Sequence, residues 1–209
     1  MKSAVLQHNF LNGWSLFYLI AVLTAIVVGM GFSKIGIDSP QATIDMIGLS
    51  VRLASPWIYI TFAVSPIMHF FPGNASKWLL RNRRYFGLAF AAGFAWQLVF
   101  IIVLLSVYPD YYWEQMHNTI ELILRTVSYF ILIALTITSF YPLRRRMQRQ
   151  HWYWLHLFGV WYFWAAIWVS YTQQAFSSEA TMLSFIYFGV GLLVFILRVL
   201  ANLNRLQSR

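Results

Sequence analysis

Five histidines, His8, His69, His117, His151 and His156, carry most of the chemistry open to this sequence. Cysteine is absent, which excludes disulfides, thiolate metal ligands and iron–sulfur clusters, so any redox work needs a cofactor held by nitrogen or oxygen. A tetrapyrrole iron in a helical membrane bundle needs imidazoles from two facing helices. His156 lies inside the stretch His151 to Tyr171, HWYWLHLFGVWYFWAAIWVSY, which is apolar after its first residue and crowded with Trp and Tyr. Its functional weight depends on what faces that stretch.

The elements that must position these residues are membrane helices. With 60% hydrophobic and 10% charged residues over 209 positions, the composition is that of an all-α polytopic membrane protein. Six apolar runs, at 14–31, 53–72, 86–107, 121–141, 153–171 and 181–203, each approach the ~20 residues that cross a hydrocarbon core. The whole chain, 1–209, reads as one transmembrane domain. No small-residue cleavage site precedes the polar GFSKIGIDSP, so the first run is expected to be a retained helix.

Lys and Arg in short loops stay on the cytoplasmic side. Lys2, Lys77, Arg81, Arg83, Arg84, Arg144, Arg145, Arg146, Arg149, Arg198, Arg205 and Arg209 fall on one expected side, and Asp38, Asp45, Asp110, Glu114, Glu121 and Glu179 on the other. Both termini are therefore expected in the cytoplasm. The net charge of +9 is explained by this orientation, and no soluble basic domain exists to bind nucleic acid. Lys34, Arg52 and Arg125 remain on the outer side, either snorkelling to the interface, with Arg125 four residues after Glu121 and able to pair with it, or neutralising an anion such as a haem propionate or lipid phosphate. The runs RNRR and RRRMQR read as short cytoplasmic loops touching anionic headgroups or an acidic partner. Pro66, Pro109 and Pro142 sit where apolar runs end or bend.

There is no phosphate-cradling glycine loop, HExxH or GxSxG. With every acid expected outside the membrane, intramembrane acid/base pairs and ion-coupled transport are disfavoured. His8 and His117 are expected to be solvated, and His151 to be interfacial. His69, late in the second span, and His156, early in the fifth, share the cytoplasmic end, and only these two could meet inside the membrane. Trp161, Trp164 and Trp168 share one helical face, either filling a seam between helices or facing lipid.

RNRRYFGL entering the third span, ELILR entering the fourth, TSFYPLRRRMQRQHWYWLH across the second basic run, and Ser65–Pro66, its proline fourteen residues after Arg52, resemble the ferric-reductase-like transmembrane family. The nearest branch is the haem-binding membrane subunit of bacterial periplasmic methionine-sulfoxide reductase systems. The likeness covers residues 42–200. It implies a six-helix bundle in the bacterial inner membrane that binds haem b and passes electrons from the cytoplasmic side or quinone pool to a periplasmic redox partner. Carried over singly, the family's LH histidine is His156, its third-helix ligand position is Gln97, and the position thirteen residues after His156 is Val169. Arg52 and Arg125 match the family's outer arginines. Valine does not ligate, and a glutamine oxygen is a weak ligand for haem iron.

The sequence therefore leads to a membrane subunit of that lineage with a degenerate, haem-poor or haem-free site, the aromatics of the fifth helix filling the cofactor's place and closing a seam against the third. Two alternatives stand beside it. One is a functional haem b carrier using His156 with His69 or an open position. The other is a small-molecule or lipid-handling protein whose cavity is lined by Gln97, Ser128, Thr136 and Ser139. By itself the chain reads as a non-catalytic or electron-transfer subunit.

Overall fold

A computed structural model describes residues 8–116, 118–178 and 180–207. Lys2, His117, Glu179 and Arg209, with the sides expected for them, lie outside these residues. Six long helices account for most of the described residues: α1 (Gly13–Ile35), α2 (Pro40–Phe70), α3 (Asn74–Val107), α4 (Thr119–Ser139), α5 (Arg149–Ala175) and α6 (Met182–Gln207). No strand occurs among the described residues. Five of the six, all but α5, are long and apolar enough to cross a membrane. Large apolar side chains such as Ile26, Ile102, Phe130 and Leu193 lie exposed along them. Such surfaces suit acyl chains as solvent, and the protein is an integral, all-α, polytopic membrane protein. α5 differs because its apolar character resides in indoles and phenols whose N–H and O–H groups need partners.

Two helices begin far earlier than their apolar runs. α2 starts at Pro40, not at 53, because Ser39 caps it, its Oγ accepting from the Ala42 N–H at 3.1 Å, and proline suits the first helical turn. α3 starts at Asn74, not at 86, with Ser76 Oγ accepting from the Gly73 N–H at 2.8 Å. Lys77, Arg81, Arg83 and Arg84 thus ride on a helix and not in a loop, since nothing between Asn74 and Tyr85 breaks one and arginine is a good helix former. At about 1.5 Å per residue, α2 and α3 reach roughly 46 and 51 Å, well beyond a ~30 Å hydrocarbon core. Arg144–Arg146 sit in a short helical turn, Tyr141–Arg146, and Arg149 opens α5. Pro109 and Pro142 follow the ends of α3 and α4, and each lies in the first turn of a short helical segment. Pro66 lies inside α2, as does Pro56.

The chain divides into two compact units, residues 1–16, 55–87 and 153–209 in the first, and 17–54 and 88–152 in the second. In the second, Val28, Met46 and Phe100 form a buried core from α1, α2 and α3, backed by Leu49, Leu53 and Trp96. Gly93 lets α3 approach α2 closely: a methyl group there would come 2.7 Å from the Ala54 Cβ and 3.1 Å from its Cα. The Tyr108 hydroxyl donates to the Ile37 carbonyl at 2.8 Å, tying the end of α3 to the α1–α2 connection. Asn118 caps α4 by accepting from Ile120 N–H at 3.0 Å.

In the first unit, Asn82 is fully buried and satisfies the start of α1. Its Oδ1 accepts from the Gly13 N–H at 2.9 Å and its Nδ2 donates to Asn12 Oδ1 at 3.1 Å. Gly13 has φ of 65°, a left-handed conformation that a side chain would strain. The Trp78 indole donates to the Leu11 carbonyl at 2.9 Å.

Substituting Gly93→Val is expected to lower stability by about 1–3 kcal/mol through overpacking against Ala54. Gly48→Ala, where an added methyl meets nothing within 4 Å, is expected to be neutral or stabilising. Thermal unfolding of the two variants in detergent checks both.

Candidate functional site

Proline cannot donate to the carbonyl four residues earlier, and its ring pushes that carbonyl away. In α2 the carbonyl orphaned by Pro66 belongs to Phe62. It is taken by Arg198 of α6, whose Nη1 donates to it at 2.7 Å. Arg198 is only 6% exposed. Its guanidinium lies 4.3 Å from the centroid of the Phe62 ring and 5.1 Å from that of Trp161, so aromatic faces supply part of the stabilisation water would have given. Arg83 of α3 takes the neighbouring carbonyl: its Nε donates to Thr61 O at 3.1 Å and its Nη1 to Ser65 Oγ at 3.3 Å. Two arginines from two helices thus grip the broken turn of a third.

Arg83, expected in a short loop, lies on a helix, and Arg198, expected among the cytoplasmic-side cations, is buried. For Arg198 the signal was present. Arg198 is embedded in LLVFILRVLANL, and an arginine inside an apolar run faces protein or water and avoids lipid.

Beside this break lies the tryptophan stripe. Trp164, 5% exposed, stacks on Phe62 at 4.9 Å and on Phe195 at 5.0 Å, with Trp168 stacked on it at 5.4 Å and Trp161 edge-on at 5.8 Å. The indole N–H of Trp164 donates to the Gly191 carbonyl at 3.2 Å, and that of Trp168 to the Phe188 carbonyl at 3.1 Å. The residue at 191 must lack a side chain, because a methyl there would collide with the Trp168 ring. The stripe therefore fills a seam formed with α2 and α6, which resolves the choice between seam and lipid. The partners are not those expected, because spacing defines a helix face and does not name what meets it. Further along α5, Tyr171 stacks on Tyr187 at 4.5 Å and its hydroxyl lies 3.2 Å from Ser55 Oγ.

The predicted ligand positions are scattered in environment. His156 is half-buried in the second turn of α5, and His69 is exposed in the last turn of α2, its ring edge-on to Phe70 at 5.0 Å. Val169 is 47% exposed. Gln97 is half-buried in α3, and its Oε1 accepts from the Tyr129 hydroxyl at 3.2 Å. Among the described residues no three His, Asp or Glu side chains cluster as a metal site. The donor set consists of one half-buried imidazole, an amide whose oxygen is already engaged and an aliphatic side chain, and it does not fit bis-histidine haem. Arg52 is exposed, twelve residues into α2, and Arg125 is half-buried in α4. His8 and His151 are exposed. Ser128 and Ser139 each donate to a carbonyl of their own helix, Leu124 and Leu135, both at 2.7 Å. Hydroxyls bonded in this way have committed their donor to their own backbone. Thr136 is half-buried.

Comparison with family models, with curated proteins and with solved structures gave no match. The residues themselves therefore define the class, a helical integral membrane protein stapled by buried arginine at a proline break.

Replacing Arg198 with Leu is expected to cost about 1–3 kcal/mol, by leaving the Phe62 carbonyl unpaired. Pro66→Ala restores an N–H to that carbonyl, so the double variant is expected to lose less than the sum of the two single variants. A coupling of about 0.5–3 kcal/mol is anticipated for such interacting positions. Thermal or denaturant unfolding of the four-member cycle measures it, and strict additivity would refute the pairing.

Proposed function

We propose that this chain is a ferric-reductase-like membrane subunit in which protein packing has replaced the haem site. It crosses the bacterial inner membrane six times with both termini in the cytoplasm, and it works beside a membrane or periplasmic redox partner without carrying the electron itself. The observation that carries this reading is Trp164. A family-type haem between helices needs space and paired imidazoles, yet the seam on the inner face of α5 is occupied by an indole stacked between Phe62 and Phe195. A void of haem size would forfeit many van der Waals contacts, and aromatic side chains are efficient fillers. The replacement of ligand positions by Gln97 and Val169 supports the same conclusion.

The six-crossing arrangement is supported by α5, whose 27 residues reach about 40 Å, ample for a bilayer. Sidedness is supported by the basic runs at 81–84 and 144–149, which would be retained in the cytoplasm.

Protein purified in detergent is expected to contain well below one haem per chain by extraction and to lack a Soret band that disappears in His156→Ala. A stoichiometric, reducible haem lost with His156 would overturn the proposal in favour of a functional haem b carrier.

A further inference from the structure

The arginine pair at the Pro66 break has more donors than the protein uses. A guanidinium has about five N–H donors, of which Arg198 commits one to the Phe62 carbonyl, while Arg83 commits its Nε and Nη1. The charged and phenolic groups that act on Arg198 are Arg83, Arg205 and Tyr153, with no carboxylate among them. Glu179 is the sole acid in the sequence of residues 1–16, 55–87 and 153–209. Arg198 lies about 24 Å along α6 from Met182, the residue that begins the helix. Two like charges brought together in a low-dielectric setting, with no acidic partner, call for an anion. Arg198 retains 6% exposure and Arg83 is only half-buried, which leaves the pair an opening to the outside.

We infer that Arg83 and Arg198 hold the phosphate of an anionic phospholipid at the α2–α3–α6 junction. Guanidinium forks match phosphate oxygens in geometry as well as charge, and basic pockets between membrane helices are suited to phospholipid headgroups. A lipid is favoured over free phosphate because exposed apolar surface lies beside the pair. Leu80, three residues before Arg83 and so on the same face of α3, is exposed, as is Tyr153 of α5, whose phenol acts on both arginines. Phe62 and Trp161 close the inner side of the guanidinium. The site differs from the outer-side anion contacts considered for Arg52 and Arg125, and it does not depend on whether the chain carries haem.

Native mass spectrometry and thermal melting of the delipidated full chain test this, with phosphatidylglycerol, phosphatidylcholine and inorganic phosphate added separately. The anionic lipid is expected to bind at least about tenfold more tightly than the zwitterionic one, and Arg83→Gln to remove most of that preference. Glutamine retains a donor for Thr61 or Ser65, so this variant is expected to keep wild-type helicity. Arg145→Gln, in the exposed basic turn, serves as the control and is expected to leave binding unchanged. Equal retention of the two lipids, or undiminished preference in Arg83→Gln, would overturn the site. Stabilisation by inorganic phosphate alone, without lipid preference, would overturn the assignment to lipid.

Discussion

One carbonyl organises the packing of α2, α5 and α6 in this protein. Pro66 removes the N–H that Phe62 O would accept, and in a bilayer no water stands ready to replace it. The unmet acceptor selects a strong donor, and Arg198 provides one at 2.7 Å. A guanidinium in an apolar setting is costly in turn, and this explains the aromatic rings around it. Phe62 supplies both the carbonyl and a ring face, and Trp161 a second face. Once Phe62 is fixed, it becomes one wall of the stack that positions Trp164, Phe195 and Trp168. Backbone geometry in α2, burial of charge in α6 and the aromatic character of α5 are thus one linked arrangement.

The same logic accounts for the glycines that matter. Gly191 is bare because Trp168 lies against it, and Gly93 because Ala54 does. In membranes, where apolar helices gain little from leaving lipid, close approach and interhelical hydrogen bonds are the main sources of association. The indole N–H groups of Trp164 and Trp168, each donating to a carbonyl of α6, belong to this class.

Much of the architecture was legible in the sequence, though not its connections. Apolar runs located all six long helices, and the spacing of Trp161, Trp164 and Trp168 revealed a packing face. Helix starts were missed where the signal was capping, not hydropathy: Ser39–Pro40 begins α2 well before its apolar residues appear, and α3 absorbs a basic stretch that charge alone marked as a loop. The role of Arg198 was missed because counting it only among the cytoplasmic-side cations ignored the apolar residues on both its sides. Its partner could have been inferred from the proline, since the carbonyl four residues before Pro66 must find a donor. That α2 and α6 lie against the stripe was not legible, because periodicity is a property of one helix and contact is a property of two. For the candidate haem site, ligand chemistry alone showed the deficit at positions 97 and 169.

The central claim is that protein groups close the seam around Phe62. An experimental structure in lipid nanodiscs, at a resolution that shows ring planes, tests it directly. The account predicts Arg198 Nη1 against the Phe62 carbonyl and the Trp164 ring lying between those of Phe62 and Phe195. A planar tetrapyrrole in that space, with Trp164 displaced and His156 turned toward its iron, would contradict it.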